Sequence, residues 1–160
     1  MPLPRKIQYV YTVPPLGPGF GGDAHTAAAV IPPANFALTD PFFLMMDDNL
    51  SVAGPFGEAH PHAGLETVTF MLNGTLIEPQ GRIDEGDVEW MTAGTGIVHG
   101  EDGIVSKGMR LLQLWVALPE SGRAHAPGVK FLRRGEMPVR RAPGVEVRVY
   151  SGRSCDTVAS

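Results

Sequence analysis

Cysteine is nearly missing from this chain of 160 residues: Cys155 is the only one. No internal disulfide can form, nothing marks a crosslinked secreted framework, and a reducing, cytoplasmic setting is the expectation. Long hydrophobic runs are missing as well. No stretch approaches the ~18 consecutive apolar residues of a membrane span, and the best candidate, 27–38, is broken by Pro32-Pro33. Behind the charges of Met1-Pro2-Leu3-Pro4-Arg5-Lys6 no apolar segment follows, so no signal peptide is expected. Positive charge is not in excess. With 13 Lys and Arg against 17 Asp and Glu, the net charge of −4 repels a phosphate backbone and argues against direct nucleic-acid binding. The one basic run, Arg133-Arg134 to Arg140-Arg141, is interrupted by Glu136 and reads as a solvated loop. Helical periodicity is lacking too: no window of adequate length keeps apolar residues three and four apart without a Pro or Gly inside it.

What is abundant is turn formers. Gly 20 and Pro 15 imply many turns per unit length and therefore short strands, while 43% hydrophobic and 19% charged residues are ordinary for a globular chain. Alternation is clearest in 66–72, where Val68, Phe70 and Leu72 share one face. Asn73-Gly74 follows directly and signals a hairpin, from which Thr75-Leu76-Ile77-Glu78 is expected to run back antiparallel. Turns at Pro79-Gln80-Gly81, Glu85-Gly86 and 93–96 then separate further strands at 87–91 and 97–101. The segment 109–118 is apolar on both faces apart from Arg110 and Gln113, as a central buried strand would be. The run 145–150 alternates cleanly, and 7–12 and 27–31 add candidate strands at the amino end. Many short strands favour a closed β-barrel or jelly roll, because closure removes exposed edges. The glycine run 17–22 fits G-x-G-x-x-G, but Pro14-Pro15 precedes it and no parallel crossover unit follows, so it reads as a surface loop rather than a dinucleotide site.

The chemistry concentrates in two short stretches. His60 and His62 stand two apart in Ala59-His60-Pro61-His62, as do His99 and Glu101 in Val98-His99-Gly100-Glu101. A strand's side-chain period of two aims both members of each pair at one face, so two such strands side by side make a four-ligand cage. Three imidazoles and a carboxylate, with no thiolate, suit one divalent ion among Fe(II), Mn(II), Ni(II), Cu(II) and Zn(II). His25 and His125 lie in Gly-, Ala- and Pro-rich sequence and are expected to be solvated.

The stretches 54–70 (GPFGEAHPHAGLETVTF) and 86–101 (GDVEWMTAGTGIVHGE) resemble the two cupin motifs of the pirin family, and Leu112-Gln113-Leu114-Trp115-Val116 and Asp40-Pro41-Phe42-Phe43 resemble its flanking segments. The resemblance implies an all-β, cupin-type β-barrel (double-stranded β-helix, or jelly roll) as one domain over 1–160, with its core at 40–118 and a carboxyl-terminal strand and tail over 129–160. It implies one iron held by His60, His62, His99 and Glu101, the four residues that spacing selects. It also implies one of two activities: dioxygenase opening of a quercetin-like flavonol or other enol or catechol substrate, or a role as a regulatory, transcription-cofactor-like binding module. A metal-stabilised structural barrel without turnover is the third reading. With Fe(II) bound by four protein ligands, about two positions stay open for a small-molecule substrate and dioxygen, and Glu101 carries the catalytic leverage as ligand and proton acceptor. Trp90, Met91, Phe70, Phe56 and Leu114 are candidates for the pocket wall, and Glu66, Gln113 and Asp102 for orienting the histidines.

The sequence departs from the family in two respects. Ala63 and Thr95 occupy places where pirins usually show arginine, and the second cupin domain of pirins has no counterpart in these 160 residues. Apolar surface left uncovered is most simply covered by self-association, so a homodimer is expected; a monomer by light scattering at micromolar concentration would remove that expectation.

Overall fold

The computed structural model describes residues 7, 10–55, 58–100 and 104–159. In chain order the strands begin β1 (Gly17–Pro18), β2 (His25–Ile31), β3 (Phe42–Leu50), β4 (Gly54–Pro55), β5 (His60–His62), β6 (Leu65–Asn73), β7 (Thr75–Glu78), β8 (Gly81–Asp84) and β9 (Val88–Thr92). They continue with β10 (Ile97–His99), β11 (Ile104–Val105), β12 (Met109–Ala117), β13 (Gly128–Leu132), β14 (Val139–Ala142), β15 (Val145–Arg148), β16 (Arg153–Ser154) and β17 (Thr157–Val158). Among the described residues α-helix is confined to α1 (Phe36–Thr39). The chain is all-β, as its turn-rich composition requires.

Seven strands form one sheet in the order β1-β2-β3-β12-β6-β9-β13, and four form a second in the order β4-β11-β7-β8. β12 lies at the centre of the large sheet, between β3 and β6, which accounts for its apolar residues on both faces. The core sits between the two sheets. Leu50 (β3), Met71 (β6), Met109 and Leu111 (β12) pack there against Leu76 (β7) and Ile83 (β8), with Phe131 against the cluster.

Paired residues share a face, so the register of β6, β9 and β12 shows which side chains look inward. Thr67, Thr69 and Met71 of β6 are buried and lie opposite Met91, Glu89 and, on β12, Trp115, Gln113 and Leu111. The face carrying Val68, Phe70 and Leu72 is the other one. It is only half-buried, and part of it is covered by Tyr150, whose ring meets Phe70 edge-on at 5.9 Å. The interior face is therefore the more polar of the two, which alternation alone does not reveal.

The hairpin expected at Asn73-Gly74 does not form. β7 pairs with β8 and β11 rather than with β6, so the chain leaves one sheet and enters the other at that turn. Gly74 has φ +87, and Thr75 N–H donates to Ser106 Oγ at 2.8 Å, which ties β7 to the segment after β11. The dipeptide marks a reversal correctly; the sheet that receives the next strand is set by tertiary contacts. No strand is found at 10–12, and residues 8 and 9 lie outside the described residues. The 145–150 run supplies β15, which among the described residues pairs with β14 alone.

Candidate metal centre

β5 and β10 form a two-stranded antiparallel ribbon in which His99 pairs with His60 and Ile97 with His62. The corner that feeds β10 is built by glycine. Gly94 has φ +51, and a Cβ placed there would stand 2.1 Å from the backbone oxygen of His125. The same oxygen accepts the N–H of Thr95 at 3.0 Å, so this close approach fixes where β10 begins.

The ribbon brings three imidazoles together. One ring nitrogen from each of His60, His62 and His99 lies within 4.8 Å of the others, and the Nε2 atoms of His60 and His62 are 3.1 Å apart. His62 and His99 are 8% and 4% exposed, and His60 is half-buried. The Nδ1 of His60 is 2.8 Å from the carbonyl oxygen of Glu58. A carbonyl can only accept, so Nδ1 carries the proton and Nε2 presents a lone pair to the cluster.

Electrostatics keeps the buried rings neutral. Burial, and after it the positive potential of His60 and His62, pushes the His99 imidazole down to about 4. Burial, then His60, lowers His62 in the same sense. Neutral imidazole is the form that binds a metal. The Nε2 of His99 is buried without a hydrogen-bond partner. Such an atom is costly unless something meets it, and a divalent cation at the centre of the three nitrogens is what this donor set fits. Glu101, the fourth ligand expected from the sequence, lies outside the described residues, as do Phe56 and Asp102.

Around the triad the structure redistributes the wall. Met91 and Gln113 are on the inner face, but Trp90, Phe70 and Leu114 are on the outer one. Glu66 is also outside, where it accepts the Thr92 hydroxyl at 2.7 Å. Glu66 and Trp90 line a cavity of about 440 Å³ with Tyr150, which none of the three histidines borders. An open cavity of about 360 Å³ touches one member of the triad, His62, and is otherwise lined by Pro61, Ala63, Gly96, Ile97 and Val98. Trp115 is a neighbour that spacing did not single out. Its ring meets His62 at 4.9 Å and 78°, stacks on Phe43 at 6.3 Å, and has a buried Nε1 without a partner. Its place in the alternation of β12, two residues from Gln113, was the available signal.

Glu78 and Glu89 were not singled out either. They are 8% and 3% exposed, hydrogen-bond to each other, and approach His99 within 4.8 Å. Burial raises the Glu89 carboxyl above its usual range, against the lowering effect of its bond to Glu78. His25, expected in solvent, is buried instead. Its Nε2 is 2.8 Å from Asp48 Oδ1, and its Nδ1 accepts the N–H of Gly21. The glycine run thus folds as a tight turn around this ring, with a Cβ at Gly19 falling 2.3 Å from His25 Nδ1. His125 is exposed as expected.

An all-β fold with a cluster of three inward-facing histidines on a two-stranded ribbon defines a candidate metal-binding protein of the cupin type. A family model described as Pirin matches residues 30–116, and the chain belongs to the pirin family. It is 42% identical over 124 residues to Pirin-1 of Arabidopsis thaliana, covering 73% of this chain and 42% of that protein. The chain spans under half the length of the curated relatives it matches. The crystal structure of GK1651 from Geobacillus kaustophilus superposes with a TM-score of 0.81 at 36% identity, covering 96% of this chain and 62% of the other. A quercetin 2,3-dioxygenase from Acinetobacter baumannii superposes with a TM-score of 0.66 at 25% identity, covering 92% and 52%. Among the described residues no helix is long and apolar enough to cross a membrane.

Proposed function

We propose that this chain is a metal-dependent dioxygenase module. In this reading His60, His62 and His99, with Glu101 as fourth ligand, hold one Fe(II) ion for the opening of a flavonol-like enol or catechol substrate by dioxygen. The observation that carries the reading is the convergence of three imidazole nitrogens with the buried Nε2 of His99 unpartnered at their side. The likeness to a quercetin 2,3-dioxygenase supports the reaction class.

When bound, the ion supplies a Lewis acid with open positions for substrate oxygen and dioxygen. The protein's own groups prepare the site. The Glu58 carbonyl holds the His60 Nδ1 proton and so directs its Nε2 lone pair inward. Burial keeps His62 and His99 unprotonated at neutral pH. Trp115, packed edge-on against His62, fixes that ring and offers its unpartnered indole N–H to a substrate oxygen. Ile97, on the histidines' face of the ribbon, offers an apolar neighbour suited to an aromatic ring. Glu101, once displaced as a ligand by the substrate oxygen, would take the proton of the enol.

The test is elemental analysis of protein purified without added metal, followed by oxygen uptake with a flavonol panel after anaerobic iron loading. Uptake that is stoichiometric with substrate loss and abolished in His62→Ala is expected. Full iron occupancy with no uptake on any flavonol would refute the enzymatic reading, and metal content near zero would refute the site.

A further inference from the structure

We propose that Glu78, Glu89 and His99 form a second position for a divalent cation, set beside the histidine triad, sharing His99 with it and favouring hard ions such as Mn(II). Glu78 is the last residue of β7 in the four-stranded sheet, and Glu89 lies on β9 of the seven-stranded sheet. Their carboxylates meet because the two sheets face each other. One oxygen from each and one ring nitrogen of His99 lie within 4.8 Å of one another, and all three residues are more than nine-tenths buried.

Two atoms of this group are left without a hydrogen-bond partner, Glu89 Oε2 and His99 Nε2. Acidic side chains in contact in a buried space repel unless a proton or a cation lies between them. None of the ion pairs among the described residues brings a lysine or arginine to Glu89. A cation there would give Glu89 Oε2 a partner and take a ring nitrogen of His99 as a further ligand. The chemistry differs from that of the triad: two carboxylates and one imidazole are a harder donor set than three imidazoles, so Mn(II) fits the carboxylate position better and Ni(II) the triad. Both groups draw on His99, so the two positions are neighbours. The inner position thus goes beyond the proposed dioxygenase site, with which it has only His99 in common.

The experiment titrates metal-free full-length chain with Mn(II) and, separately, Ni(II), by calorimetry, in wild type, Glu78→Gln/Glu89→Gln and His60→Ala/His62→Ala, with circular dichroism to check the fold. Glutamine keeps the shape and hydrogen-bonding capacity of the pair while removing its charge. The expected result is that the glutamine variant binds Mn(II) at least tenfold more weakly and Ni(II) within threefold of wild type. The alanine variant keeps its Mn(II) affinity within threefold and loses Ni(II) binding. Unchanged Mn(II) affinity in the folded glutamine variant overturns the second position, and so does loss of Mn(II) binding in the folded alanine variant. If the alanine variant does not fold, the glutamine variant decides alone. If the glutamine variant does not fold, Glu89→Gln alone replaces it under the same criteria. Unchanged Ni(II) affinity in the alanine variant would refute the triad instead, whatever Mn(II) does, so failures of the two sites are told apart.

Discussion

Acidifying the metal-free protein from pH 7 to pH 5 tests the burial of His99 directly. In the unfolded chain its imidazole titrates near ~6.5; in the folded chain burial, aided by His60 and His62, holds it down to about 4. Between those values the unfolded state binds a proton that the folded state refuses, so stability falls as the pH falls. The loss is negligible above pH ~7, sets in through ~6.5 and is complete below ~4. Over the step from pH 7 to 5 it amounts to about 2 kcal/mol, and over the whole window to about 3 kcal/mol. His62 is lowered too and adds in the same direction. The assay is urea unfolding in the presence of a chelator at pH 5, 6 and 7, for wild type and His99→Gln. Titration of the other groups is common to both proteins, so the difference between the two pH profiles isolates His99. Wild type should lose about 2 kcal/mol more than the variant between pH 7 and 5. Parallel profiles, within about 0.5 kcal/mol, would show that the ring is solvated and that the argument from burial is mistaken.

Other parts of the structure make separate demands. Ile83 is fully buried among Leu76, Met71 and Leu111, so Ile83→Ala should cost about 3 kcal/mol in urea unfolding; a cost below about 1 kcal/mol would mean that the two sheets do not close on this residue. Gly94→Ala should cost more than about 2 kcal/mol, through both the positive φ and the 2.1 Å approach to the His125 carbonyl. It should also weaken metal binding by displacing β10, measured by the same calorimetric titration. Asp87 accepts the Arg134 N–H at 2.8 Å and Arg133 Nη1 at 2.9 Å while 7% exposed. Asp87→Asn sets an amide against those donors and should cost about 2 kcal/mol, read as a shift of the urea midpoint without change of slope.

The fold class was legible because it depends on local signals repeated many times. Glycine and proline punctuation fixes short strands, and the apolar run at 109–118 announces a strand covered on both faces, which β12 is. What local signals do not carry is the partner of a strand. Asn73-Gly74 specifies a reversal, yet Ser106 and β11, thirty residues away, decide that β7 joins the other sheet. The same limit applies to faces. Alternation in β6 shows two sets of side chains but not which is inside; the set holding Thr67 and Thr69 faces inward, and the outer set is partly covered by Tyr150 from the carboxyl-terminal segment. Within the candidate site, the spacing of His60 and His62 is a local fact, whereas the pairing of His99 with His60 depends on the glycine corner at 93–96. Trp115, Glu78 and Glu89 come from three different strands, so only the assembled sheets bring them near the histidines. His25 defies its expectation for the opposite reason: its loop composition suggests solvent, but Asp48 of the neighbouring strand supplies a buried partner.

The ligands and the core are carried by different parts of the molecule, and this decides how ligand variants should behave. The apolar cluster of Leu50, Met71, Leu76, Ile83, Met109 and Leu111 spans the two large sheets. His60, His62 and His99 sit on a ribbon of two three-residue strands that, among the described residues, pair with each other and with no further strand. Replacing His60 or His62 removes none of the apolar contacts of that cluster, and neutralises a site in which close imidazoles oppose each other's protonation. In the metal-free state His62→Ala should therefore leave the urea midpoint almost unchanged at pH 7 and make it less sensitive to acid. A bound ion opens a difference between the two chains, because it stabilises only the one that retains all its ligands, by about 2.7 kcal/mol when present at a hundredfold excess over its dissociation constant. A ribbon that carries the ligands, held beside a core that carries the apolar contacts, is the arrangement expected of a site that loads metal after folding rather than one that needs metal to fold. Cooperative loss of the whole fold on chelation would contradict it.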